Sequence, residues 1–172
     1  KHGQELITAG GTALADWLTS SFPNIFGNEF AGGSGADVAL FYKDQLFRQK
    51  GNKVAGPAKV DAQFMAVALA TFFTSENLAG TVAAGYGFNV TFTGIGTRVV
   101  NVGLTGAAFN ADDDTELTIM QLLLATNALT DVSDEHTGFA SIYDRNGDGV
   151  IDANEKHLRT LANDLFELIN GI

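Results

Sequence analysis

From Asp144 to Glu155 the chain reads D-R-N-G-D-G-V-I-D-A-N-E. Few stretches constrain a fold so tightly. Short oxygen-bearing side chains recur at every second position (Asp144, Asn146, Asp148), and Gly149 follows where the backbone must turn sharply. Val150 can offer only its carbonyl. Asp152 and then Glu155 close the run, and an amphipathic stretch follows directly. Several hard oxygen donors wound around one point suit a hard divalent cation such as calcium. The alternative is an acidic turn ahead of a helix.

The spacing D-x-N-x-D-G-x-I-D-x-x-E matches the EF-hand calcium-loop rule at each constrained position. The expected metal ligands are Asp144, Asn146 and Asp148 through side chains and Val150 through its carbonyl. Asp152 is expected to bind directly or through water. Glu155 binds with both oxygens at the N-terminus of the exiting helix, where an anion is favoured. Ile151 is the apolar residue that bridges to a partner loop in paired EF-hands. Gly138 interrupts the stretch before the loop, so the entering helix is abbreviated. Dockerin repeats, which bind a cohesin, share that shortened entry. They usually carry two loops. The best second candidate, Asn110–Gln121, has Thr115 where Gly is needed and Gln121 where Glu is needed. Asp112, Asp113 and Asp114 are expected to cap and charge a helix start, with Glu116 in capping-box spacing to Asp113. A weak second cation site is the alternative there.

The 172 residues suffice for one domain, read as 1–172, and 45% of them are hydrophobic, as in a globular chain. The absence of Cys excludes disulfides and thiolate zinc sites. A net charge of −10 argues against nucleic acid or an anionic membrane as partner. Phe64–Phe73 is too short to span a bilayer, so no membrane insertion is expected. Lys1 in place of Met is expected to mark a processed or excised piece. The composition, rich in Gly, Ala, Thr, Asn and Phe, leans towards an exported bacterial protein.

Apolar periodicity predicts a mainly helical α+β fold with about five to six helices and a small antiparallel hairpin. Thr12 is expected to cap a helix whose face holds Leu14, Trp17, Leu18 and Phe22, stopped by Pro23. Ser34 caps a second helix that carries Val38, Phe41, Leu46 and Phe47 inward and ends at Gly51. Pro57 opens a third, with Val60, Phe64, Val67, Ala68, Thr71 and Phe72 as its buried stripe. The runs FNVTFT and TRVVNV alternate, and the GIG between them suggests a hairpin. A fourth helix is expected from Asp113–Thr115 to Leu129, with Leu117, Met120, Leu124 and Leu129 inward. A short helical piece is expected over about 134–143. The last helix runs from about Ala153 to Asn170, with Leu158, Leu161, Leu165, Leu168 and Ile169 on its apolar face.

Two longer blocks, Asn101–Thr130 and His157–Ile172, resemble a recurrent module of large secreted or surface proteins of environmental bacteria. ALADWLTSSFPNIFG (Ala13–Gly27) fits the start of that module. The resemblance implies a cell-surface or matrix context without enzymatic activity. Nothing in the sequence suggests catalysis: there is no G-x-S-x-G, P-loop or H-E-x-x-H, and His2, His136 and His157 lack metal-ligand spacing to one another. The expected function is an extracellular, calcium-stabilised structural module that assembles with copies of itself or another surface protein, without a small-molecule substrate. A dockerin-like recognition module is the alternative. A calcium sensor would pair its loops and present a Met-rich groove, and the chain holds only two Met.

Overall fold

Helix α5 (Ala58–Phe73) organises the molecule, a computed structural model that describes residues 2–46, 58–133 and 138–171. Val60, Phe64, Met65, Val67, Ala68, Leu69, Phe72 and Phe73 of this helix are all buried. A helix apolar around most of its circumference has to be wrapped by others. The expected stripe is buried in full, including Thr71, whose hydroxyl donates to the Val67 carbonyl at 2.8 Å.

Among the described residues, four short helices precede α5: α1 (His2–Ala9), α2 (Gly11–Ser21), α3 (Pro23–Phe26) and α4 (Gly35–Phe41). Helices α1 and α2 both pack on α4. Pro23 does end α2, and it then serves as the first residue of α3, where its missing N–H costs nothing. Helix α2 begins at Gly11 without a side-chain cap, so Thr12 does not play the expected role. Ser34 holds the N-cap position of α4, and its N–H donates to the Asp37 carboxylate at 2.8 Å. The helix continues as one π turn over Tyr42–Leu46. Phe47, Gly51 and Pro57 lie outside the described residues.

After α5 come the single turn α6 (Glu76–Ala79), a 3₁₀ turn (Val82–Tyr86) and then a rearrangement of the expected hairpin. FNVTFT is not a strand beside TRVVNV. It lies extended against the C-terminus of α5: the Thr91 N–H donates to Thr74 at 2.9 Å, and the Glu76 N–H donates back to Thr91 at 2.8 Å. Gly94 explains the diversion. It has a φ of +66°, and a Cβ there would meet the Ser75 nitrogen at 2.7 Å, so the chain seats directly on the end of α5. GIG becomes a 3₁₀ turn (Gly94–Thr97). Strand β1 (Val99–Asn101) instead pairs antiparallel with β2 (Glu116–Thr118), Val100 opposite Leu117, across a 3₁₀ segment at Gly103–Phe109.

Helix α7 (Ile119–Ala128) therefore starts later than expected. Its cap is Thr118: the Gln121 N–H donates to the Thr118 hydroxyl at 3.1 Å, and the Gln121 side chain accepts the Thr118 N–H at 2.8 Å. Asp113 and Glu116 do not form the capping box. Ile119, Leu122 and Leu123 are buried, whereas Leu124 is exposed. Residues 138–143 form turns and extended chain, not helix. Helix α8 (Ala153–Asn170) has the expected bounds and packs along α5 and the 103–109 segment. Among the described residues the fold is mainly helical with one two-stranded antiparallel sheet, and it holds more helices than the periodicity suggested. Edge-to-face rings tie its ends together: Phe22 meets Phe64 at 5.3 Å, Phe64 meets Phe166 at 5.8 Å, and Phe166 meets Phe109 at 5.7 Å.

Candidate metal centre

The loop at 144–155 is wound by its own side chains. The Asp144 Oδ2 accepts the Gly149 N–H at 2.8 Å, five residues on. The Asn146 Oδ1 accepts the Asp148 N–H at 3.2 Å, and the Asp148 Oδ1 accepts the Val150 N–H at 2.8 Å. These local bonds are what Asp and Asn do well, and they turn the backbone inward on itself. Gly147 and Gly149 take left-handed conformations, with φ of +68° and +76°. Val150 is 62% exposed, which leaves its side chain without a packing role.

The far end of the loop is the start of α8. The Asp152 Oδ1 accepts the Glu155 N–H at 2.8 Å, and the Glu155 Oε1 accepts the Asp152 N–H at 2.9 Å, a reciprocal cap. The Glu155 Oε2 also accepts the Arg145 N–H at 2.6 Å. Glu155 is buried and thus clasps the first and last turns of the loop together. Among the described residues no group of three or more His, Cys, Asp or Glu side chains converges as a metal-binding cluster. Both oxygens of Glu155 are engaged by backbone N–H groups.

Asp144 is the exception to this self-satisfaction. It is only 3% exposed, and its Oδ1 is buried without a hydrogen-bond partner. Burial pushes its carboxyl above the ordinary range; the Gly149 N–H opposes that shift, while the neighbouring Asp148 and Glu155 carboxylates add to it. A buried carboxylate oxygen facing like charge is costly unless a cation or a donor reaches it.

No helix enters the loop among the described residues. The preceding chain is fixed by a buried polar framework that sequence reasoning missed. The Asp61 Oδ1 accepts the Ile142 N–H at 2.9 Å, and the Arg159 Nη1 donates to the Ile142 carbonyl at 2.9 Å. Arg159 and Asp61 face each other at 3.6 Å, both almost wholly buried. Burial pushes Asp61 up to about 6, with Arg159 and the Ile142 N–H pulling the other way. The Tyr143 hydroxyl donates to the Ala108 carbonyl, and the Tyr143 N–H donates to the Thr130 hydroxyl at 2.9 Å. Tyr143 has a φ of +63° and no exposure, a strained conformation that the surrounding bonds hold.

Residues 131 and 132 lie beside the loop. The Asp131 N–H donates to Asp144 at 2.8 Å, and the Val132 N–H donates to Arg145 at 2.7 Å. They brace the first two residues of the loop, not the Ile151 edge where a partner loop would bridge. The signals for the missed residues were present. Arg159 falls on the same helical face as Glu155, Ala162 and Phe166, where a charge needs a buried partner. Asp61 likewise interrupts the apolar run of α5.

Asp112, Asp113 and Asp114 form an exposed turn ahead of β2, with the Thr115 hydroxyl donating to the Asp112 carbonyl at 2.7 Å. His2 and His157 are exposed, and His136 lies outside the described residues. Among the described residues no helix is long and apolar enough to cross a membrane. No family model, curated protein or solved structure matches the chain.

Proposed function

We propose that 144–155 is a structural calcium site, and that the chain is an extracellular structural module which assembles with copies of itself or with another surface protein. The observation that carries the calcium reading is the buried, unpartnered Oδ1 of Asp144, set in a loop otherwise wound on its own oxygens. The donor set is Asp144, Asn146, Asp148, the Val150 carbonyl, Asp152 and Glu155, all hard oxygens. Bound calcium would supply the positive charge that this cluster of acids lacks. For Glu155 to join, its Oε2 must exchange the Arg145 N–H for the ion. Because the same Glu155 begins α8, ligand binding adds directly to the docking of that helix.

The dockerin-like alternative needs an apolar surface on the exiting helix. Ile151 is only half-buried, but the exposed positions of α8 are polar apart from the small Ala153 and Leu168. That surface favours the structural reading.

The test is thermal melting with EDTA and with calcium, with calorimetric titration alongside. At free calcium of about 100 times Kd, stability should rise by about 2.7 kcal/mol, a shift in Tm of roughly 5–10 °C. The double variant Asp144→Ala/Glu155→Ala should lose that rise. A wild-type Tm unmoved by calcium would refute the site.

A further inference from the structure

We propose that the extended segment after the 82–86 turn carries a self-association face, in which Phe92 of one copy seats in an apolar groove of a second copy. This deepens the self-assembly reading above and rests on it. The groove has a volume of about 470 Å³ and is walled by Leu6, Ile7, Leu69, Phe73 and Phe88. Among the described residues no acidic side chain lines it; its one charged residue is Lys43, which is exposed. Phe92 follows the groove residue Phe88 by four positions on the same segment and is 69% exposed. Its backbone is fixed: the Asn77 N–H donates to the Phe92 carbonyl at 3.1 Å, and the Glu76 N–H donates to Thr91 at 2.8 Å. An aromatic ring held out on a pinned backbone loses little freedom when it docks.

Charge identifies the occupant. The chain carries −10 overall, so two copies repel over most of their surface. From Asn77 to Ala111 the only charged residue is Arg98. The knob belongs to this nearly uncharged stretch, and the acid nearest to it in the backbone pairing is Glu76, which is exposed. The groove thus carries a cation, Lys43, and the backbone beside the knob carries an acid, Glu76, so knob and groove are opposite in sign. The face is therefore complementary to itself in shape and in sign. Knob and groove lie four residues apart on one segment, so a two-fold axis satisfies both contacts at once.

Sedimentation equilibrium of the whole chain in calcium buffer tests the face. Wild type should show concentration-dependent dimers. Phe92→Ser and Ala70→Asp, the latter at a partly exposed groove position, should each weaken association by at least about 30-fold. Their circular dichroism and Tm should stay unchanged. Lys43→Glu and Glu76→Lys should each weaken association, and the two together should restore it. If wild type associates and both Phe92→Ser and Ala70→Asp associate as tightly, this face is wrong while self-assembly stands. A wild type that stays monomeric at all concentrations overturns both.

Discussion

Gly147 and Asp131 show how closely the loop is fitted. A Cβ on Gly147 would lie 2.7 Å from the Asp131 Oδ1, and the residue already has a φ of +68°. Gly149 has a similar φ of +76°, but a Cβ there meets nothing within 4 Å. Gly149→Ala should therefore cost only the left-handed backbone preference, about 1–2 kcal/mol. Gly147→Ala should cost that plus the clash, and should lower calcium affinity by displacing Asp131 from the loop. Chemical denaturation of both variants separates the two contributions. In a double-mutant cycle, Asp131→Ala should couple to Gly147→Ala by more than about 0.5 kcal/mol and to Gly149→Ala hardly at all. Equal costs for the two glycines would show that Asp131 has no part in shaping the loop.

Helix α8 was legible because everything local agreed: an acidic N-cap, a Glu in capping-box register, and apolar residues at helical spacing up to Asn170. The hydrogen bonds that wind the loop were legible for the same reason, since the Asp, Asn and Gly spacing behind them is local. What could not be read was long-range. Gly94 closes on the end of α5 in space, and that contact, not the β-branched pattern, decides which segment pairs with Val99–Asn101. The start of α7 was misplaced because Asp113 and Thr118 both have capping chemistry, and pairing of Glu116–Thr118 with β1 selects the later one. Arg159 on α8 and Asp61 on α5 are a buried pair formed by two helices far apart in sequence. Arg159→Met should destabilise by about 3–5 kcal/mol by leaving the buried Asp61 without its cation, and Asp61→Leu in that background should recover part of it, the Ile142 N–H then losing its acceptor. The pair also has a pH signature. With Asp61 raised to about 6 in the folded state, that state holds a proton which the unfolded chain has released by then. The contribution of Asp61 is full below about pH 4 and is lost as pH rises through about 6. Measured in EDTA, wild type should therefore lose stability relative to Asp61→Asn between those pH values. A flat difference would mean that Arg159 holds Asp61 in its ordinary range.

For the molecule as a whole, α8 is the piece tied to the loop, through Glu155. It brings Arg159, Ala162, Leu165, Phe166 and Ile169 into the core. Arg145 and Lys156, both exposed, flank the loop's interior and are natural trypsin sites. Calcium should slow cleavage at these two positions by at least about tenfold if opening of the loop is coupled to release of the helix, because cleavage follows the open population. The same rate with calcium and with EDTA would break the link between the loop and global stability. The chain also carries its own optical reporters. Trp17, the only tryptophan, meets Phe22 edge-to-face and Phe72 at a tilt, both at 5.4 Å, among the helices of the N-terminal half, while Tyr143 sits under the loop. The emission of Trp17 therefore tracks the packing of α2 on α5, whereas the near-ultraviolet dichroism of Tyr143 tracks the loop's entry. Whether those two signals move together during a calcium titration measures, without any label, how far the loop is felt through the chain of rings from Phe166 to Phe22.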